Sequence, residues 1–245
     1  CGSAASISAA FNAPIAGVFF SLEKILGSFG VAAFPPILVA SVIAAAISRA
    51  AFGNSPVIAI PEVYGMGGAS ELLLYTLLGI AAGGAAVLFN RTMYKATDVA
   101  ARLPSRGGQV LLAGVAVAGI NIAIGPDLWG QGHETLDLEL IGQRAWYVLL
   151  TLSLAKLVTT ALTVSAVRAG GVFTPSLFIG ATLGGAMASL GNGLFGLSLQ
   201  PEAFALVGMA GLVAGATHAP LTAIMIVFEM TSDYELILPL MLTGA

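Results

Sequence analysis

The sequence predicts an all-α integral membrane protein, built as an inverted-topology repeat with broken and partially spanning helices. Three observations predict this class: an apolar composition, several long apolar stretches, and one segment near the start that returns near the end. Of the 245 residues, 58% are hydrophobic and 9% are charged, whereas a soluble domain carries roughly 25% charged residues. Most of the surface must therefore face lipid or another apolar surface.

Apolar stretches of two lengths follow one another along the chain. Four are long enough to cross a hydrocarbon core of about 30 Å, and they lie at 31–52, 70–90, 108–126 and 145–166. Shorter ones lie at 13–26, 172–190, 203–216, 219–231 and 235–244. Short helices are stable at membrane depth only where protein or a water-filled cavity satisfies their ends, so they predict a site between helices.

Glycines recur at helical spacing within two of these stretches. The two sets are Gly79, Gly83 and Gly84, and Gly180, Gly184 and Gly185. Small residues let helix backbones approach closely in membranes. We expect close helix packing at both sets.

The repeat consists of residues 13–23, APIAGVFFSLE, and residues 219–229, APLTAIMIVFE. Both copies place proline in the first turn of an apolar helix, where its missing N–H costs nothing, and both end in glutamate. Such distant copies predict two structural halves around a transport site. We assign residues 1–53 to the first half and residues 70–245 to the second, within a single transmembrane transport domain.

Loop charge predicts the orientation. The connection between the second and third long stretches is basic, with Arg91, Lys95, Arg102 and Arg106. Cytoplasmic loops are enriched in Lys and Arg, so this connection is expected to be cytoplasmic. The same orientation places Lys24 and Arg168 inside and Asp233 and Glu235 outside, which requires the second repeat helix to run opposite to the first.

The segment most suggestive of chemistry is Gly170, Gly171, Val172, Phe173, Thr174 and Pro175. Two glycines let the backbone turn, and the proline falls in the first turn of a new apolar helix. Free N–H groups and the positive end of the helix then face one point, which should attract an anion. The alternative is a glycine turn before an ordinary packed helix.

At these residues the sequence resembles the CLC family of chloride channels and chloride/proton antiporters. Gly-Gly-Val-Phe-Thr-Pro is similar to the family's G-x-F-x-P anion-site motif, and residues 10–20 resemble its first-half helix. Residues 204–222 and 228–241 resemble its late helices. The resemblance implies that the amides of Val172 and Phe173 bind chloride, with Gly170, Gly171 and Pro175 shaping the turn. It also implies that the parent protein carries further ion-site loops upstream and a final helix downstream, so we interpret the chain as a fragment.

One departure from the family concerns proton coupling. The antiporters often carry a second glutamate after the one matched by Glu23, but this sequence has Lys24 there. Lys24 could be a charge at a helix C-terminus or could attract anions to an inner vestibule. Arg168 could likewise be a cytoplasmic anchor or a local attractor for chloride. We therefore favour a chloride channel or weakly coupled exchanger, with a tightly coupled antiporter or a non-transporting structural fragment as alternatives.

The resemblance also implies a twofold homodimer with one pore per subunit. The apolar faces of the two repeat helices would meet the same helices of a second subunit. Their residues are Ile15, Phe19, Leu22, Leu221, Ile224 and Phe228.

The sequence gives little support to other kinds of function or site. His133 and Glu134 have no second histidine at helical spacing, so no metal is expected. No nucleophile and base converge on a recognisable enzyme motif, no basic cluster suggests nucleic acid, and no cofactor is expected besides chloride as the transported ion. His218 is expected to cap the start of the helix that follows it. The expected location is a bacterial inner membrane or a plastid membrane, with lipid as the surrounding partner.

Overall fold

The computed structural model describes residues 1–53, 69–103, 105–130 and 138–244, and most of these residues are helical. The α-helices in chain order are α1 (Gly2–Phe11), α2 (Pro14–Phe20), α3 (Phe34–Phe52), α4 (Ala69–Ala101), α5 (Arg106–Ile124), α6 (Leu138–Gln143), α7 (Trp146–Val167), α8 (Phe173–Phe195), α9 (Pro201–Thr217), α10 (Pro220–Thr231) and α11 (Ile237–Gly244). A π-helical segment, Ser21–Leu26, continues α2, and a 3₁₀ turn, Pro126–Leu128, follows α5. The predicted boundary between the halves falls at 54–69, almost all of it outside the described residues.

Within the described part, five helices are long and apolar enough to cross a membrane: α3, α4, α5, α7 and α8. Four of them confirm the predicted long stretches. The fifth is a correction, because 172–190 was expected to be too short, whereas α8 has 23 residues. The helix continues because the side chain of Asn192 bonds the backbone N–H and C=O of Leu199, both at 2.8 Å, so the polar residue does not interrupt it. Helix α1 lies outside every predicted stretch.

The core is centred on α9, most of which is buried, and α8 packs along it. A Cβ added at Gly180 would collide with the carbonyl group of Gly208, and one at Gly184 with that of Phe204. These glycines therefore allow a backbone approach that alanine would prevent, as predicted. The expectation is wrong for Gly83 and Gly84, where an added Cβ would meet nothing within 4 Å.

The two halves meet where α2 packs against α10 and where α1 and α2 reach the start of α8. The ring of Phe173 lies 5.3 Å from that of Phe11 and 6.4 Å from that of Phe20, centroid to centroid. Aromatic pairs at these distances add to the stabilisation that burial provides. The first residue of α8 is thus held by helices of the first half.

Candidate anion site

The turn between α7 and α8 has the conformation that the glycines predict. Arg168 ends α7 in the left-handed region with φ 55°, and its amide donates to the carbonyl of Val164 at 2.9 Å. Gly170 follows with φ 150°, which side chains rarely tolerate. Gly171 does not have a positive φ, so its backbone conformation does not require glycine. What the missing side chain provides is open space, because an added Cβ would meet nothing within 4 Å.

Helix α8 begins without a side-chain cap from any residue that the structure describes. Val172 is the N-cap residue. Its carbonyl accepts from the backbone amide of Ser176 at 3.1 Å and from the hydroxyl of Ser176 at 2.7 Å. Among the described residues, the amides of Val172, Phe173 and Thr174 have no hydrogen-bond partner. Unpaired amides at a helix N-terminus carry a partial positive charge. This helix start can therefore accept an anion.

A cavity of about 380 Å³ opens beside the start of α8. Four of the six predicted site residues line it, namely Gly170, Gly171, Thr174 and Pro175. The side chains of Val172 and Phe173 instead pack into hydrophobic clusters. Neither residue lines the cavity, and their predicted role concerns only the backbone N–H groups, which have no partner among the described residues.

The opposite wall of this cavity belongs to α5 and α7 and contains a residue that the sequence reasoning missed. Lys156 is 3% exposed, and its Nζ donates to the carbonyls of Leu128 at 3.0 Å and Gly130 at 2.9 Å. Nζ also lies 5.0 Å from the centroid of the Phe178 ring. The signal was available: a lone lysine inside the apolar stretch 145–166 marks an ionisable group at membrane depth.

The two repeat helices have a different arrangement at their starts. Glu229, near the end of α10, accepts from the amides of Ile15 at 2.9 Å and Ala16 at 2.7 Å. In return, Glu23 accepts from the amides of Leu221 at 3.2 Å and Thr222 at 2.8 Å. Each carboxylate thus caps the other repeat helix. Because each cap lies near the end of one helix and at the start of the other, the pair is antiparallel, which confirms the inverted repeat.

Lys24 also reaches across the molecule. Its Nζ donates to the carbonyl of Thr217 at 2.6 Å, and the side-chain amide of Asn90 donates to the neighbouring carbonyl of Ala216 at 3.3 Å. Together they satisfy carbonyls at the end of α9, where cations are favoured. Lys24 therefore lies in the last turn of the π-helical segment that continues α2, and it also bonds the C-terminal end of α9.

The prediction for His218 is wrong. His218 ends α9 in the left-handed region with φ 54°, and Asn12 ends α1 in the same way with φ 53°. The N-cap of α10 is Ala219, which has no side chain to donate or accept. The following helix is capped by Glu23 from the other repeat, so the cap is a tertiary contact.

The predicted dimer faces remain partly open. Ile15 and Leu221 are 45% and 44% exposed, whereas Phe19, Ile224 and Phe228 are half-buried. Leu22 differs, because it is 1% exposed and packs with Ala4, Val18 and Ile37 within the chain. The structure therefore removes Leu22 from the outer face. His133 and Glu134 lie outside the described residues.

Helices of spanning length and an antiparallel repeat pair define the fold of a multi-pass membrane protein with an inverted repeat. The chain belongs to the family described as Voltage gated chloride channel, whose sequence model matches residues 1–245. A ClcB-like relative from Ralstonia nicotianae is 38% identical over 248 residues, covering 99% of this chain and 56% of the relative. The H(+)/Cl(-) exchange transporter ClcA of Salmonella agona is 33% identical, covering 99% of this chain and 52% of the relative.

A solved structure supports the same assignment. The crystal structure of a slow cyanobacterial Cl−/H+ antiporter matches with a TM-score of 0.82 and 28% identity, covering 99% of this chain and 58% of that chain. The chain thus spans about half the length of the curated relatives that it matches.

Proposed function

We propose that this chain forms part of a chloride pathway across a membrane, in which the open start of α8 binds the ion. The observation that carries the proposal is the set of amides at Val172, Phe173 and Thr174, which have no partner among the described residues, at a helix start whose residue Thr174 lines a cavity. The backbone N–H groups of a helix start carry only partial positive charges, so they bind a monovalent anion without holding it permanently. Transport requires such release.

We further propose that chloride moves with weak proton coupling or none through residue 24, as a channel or weakly coupled exchanger. The contact between Lys24 Nζ and the carbonyl of Thr217 supports this, because that ammonium group stabilises a helix end. A proton relay requires a group that accepts protons and passes them on. Two relatives are named as exchangers or antiporters, so the coupled mechanism is the alternative to be tested.

The test uses the full-length parent protein in lipid vesicles loaded with chloride. A chloride electrode outside the vesicles measures efflux after a potassium ionophore is added, and a pH electrode records proton movement. We expect chloride efflux well above that of empty vesicles, with less than stoichiometric proton movement. Efflux equal to that of empty vesicles would refute the transport proposal, and stoichiometric uphill proton movement would refute only weak coupling.

We also propose that two copies pair through the outer faces of α2 and α10. Ile15 and Leu221 are large apolar side chains that remain exposed there. A cysteine at Leu221 should form a cross-linked dimer in detergent, whereas a cysteine at the buried Leu22 should not. Monomeric protein at every concentration would contradict the pairing.

A further inference from the structure

Lys156 carries a charge that the described residues leave without a carboxylate. Among them, the one ion pair joins Arg144 to Asp127 at 2.7 Å. Lys156 is nearly inaccessible, and its partners are two carbonyl oxygens and the face of an aromatic ring. These partners stabilise an ammonium group but do not neutralise it. A buried charge in a membrane protein is costly unless a counter-charge is available.

The position of Lys156 indicates what that counter-charge is. Lys156 lines the same cavity as Gly170, Gly171, Thr174 and Pro175. One wall of the cavity therefore has the positive end of the α8 dipole, and another has a full positive charge. An ammonium group has three N–H bonds, and the two carbonyls account for two of them. An anion in the cavity would experience both walls.

We propose that Lys156 is the fixed counter-charge of the anion in this cavity and that its charge sets the affinity of the α8 start for chloride. The proposal rests on the proposed function, and it adds a side chain to a site otherwise built from backbone. The two carbonyl bonds hold Nζ in place, so the charge is preorganised and needs no movement when the ion enters. Lys156 is thus a positioning and affinity-determining residue rather than a gate.

A purely structural role for Lys156 predicts a different response to substitution. In that case Lys156 only ties α7 to the turn at Leu128 and Gly130, and its hydrogen bonds would matter while its charge would not. Replacement by glutamine separates the two roles, because the amide retains N–H donors but has no charge. Replacement by arginine keeps the charge, and Lys156→Met removes both.

The experiment measures chloride binding to the full-length parent protein by calorimetry in detergent, with monodispersity checked for each variant. We expect Lys156→Gln and Lys156→Met to weaken chloride binding about tenfold or more. A full charge beside the ion, in surroundings less polar than water, contributes that much to the binding free energy. Lys156→Arg should stay within about threefold of wild type. Lys95→Met, an exposed lysine on α4 that does not line the cavity, serves as the matched control and should bind as wild type.

The outcomes are distinguishable. Wild-type affinity in Lys156→Gln would overturn the counter-charge and leave the proposed function intact. Equal weakening in Lys156→Arg and Lys156→Gln would also overturn it, because the retained charge would then have no value. Absence of chloride binding in the wild-type protein would refute the proposed function itself. If Lys156→Met fails to fold, the glutamine and arginine variants still decide the question.

Discussion

Helices α2, α8 and α10 each have a proline in the first turn and no hydrogen bond from the side chain of the N-cap residue, yet their starts differ. At α2 and α10, a carboxylate from the opposite repeat accepts from the first amides. At α8, no side chain of the described part of the chain does so, and the start opens on a cavity. Where the first amides of a helix already donate to a carboxylate, no unpaired amide remains there to bind an ion. The same local signal thus gives a capped start in two places and an open start in the third, because the caps are tertiary contacts.

The largest expected effect comes from filling the open start. Gly171 lines the cavity, and an added Cβ there would meet nothing within 4 Å, so Gly171→Val should fold while its side chain occupies the space of the ion. Two amide hydrogen bonds to an ion contribute roughly 3 kcal/mol or more, so chloride affinity should fall about a hundredfold.

Calorimetry on the parent protein checks this, with Val172→Ala as the control. The side chain of Val172 packs into a hydrophobic cluster, so its loss should leave affinity nearly unchanged. Wild-type chloride affinity in Gly171→Val would show that the ion does not bind at the start of α8.

A medium effect is expected at the closed starts. Glu229→Gln and Glu23→Gln replace a charged acceptor at each cap, and each should lower the free energy of unfolding by about 1 kcal/mol. Thermal unfolding in detergent measures it, with the exposed Glu235→Gln as the control. Chloride affinity should change by less than about twofold, since neither glutamate lines the cavity. A large loss of chloride affinity would show that the closed starts belong to the site.

A smaller effect is expected for Lys24. Lys24→Met leaves the carbonyl of Thr217 without this donor, which should cost up to about 1 kcal/mol of stability. Proton movement driven by a chloride gradient should be the same in the variant and in the wild type. Strong uphill proton pumping in the wild type that disappears in Lys24→Met would mean that residue 24 carries the coupling, and our assignment of it as a helix cap alone would be wrong.

The smallest effect concerns the turn at the rim of the cavity. The hydrogen bonds from Arg144, at 2.7 and 2.8 Å, hold the pKa of Asp127 below its ordinary value. A lowered folded pKa contributes stability above the ordinary pKa of about 3.9, and this stability is lost as the pH falls through the folded value. Because both groups are partly exposed, the contribution should not exceed about 1 kcal/mol.

Asp127→Asn should therefore unfold slightly more easily at pH 7 and behave like wild type at the acidic limit. Unfolding temperatures measured across pH 3 to 7 test this. An identical pH dependence in both proteins would show that the pair does not stabilise the turn.

The glycine turn could be predicted because its signal is local, and the repeat because its two distant copies carry the same local pattern. Gly170 needs a positive φ, and Pro175 fits the first turn of a helix, so residues 170–175 indicate their own conformation. The length of α8 could not be predicted in this way, since the bond from Asn192 to Leu199 is what lets the helix pass a polar residue.

The membrane class, the repeat and the turn that begins α8 could be inferred from the amino-acid sequence alone, because composition and backbone preference depend on near neighbours and the two repeat copies share one local pattern. Tertiary contacts set which helix starts are closed and what surrounds the open one. The caps join residues 198 to 214 positions apart, and Lys156 meets carbonyls 26 and 28 positions away. Helix periodicity does not indicate which distant residues pair in this way. They exist because the packing of α7 on α5, and of α2 on α10, brings polar groups to the partners that they require.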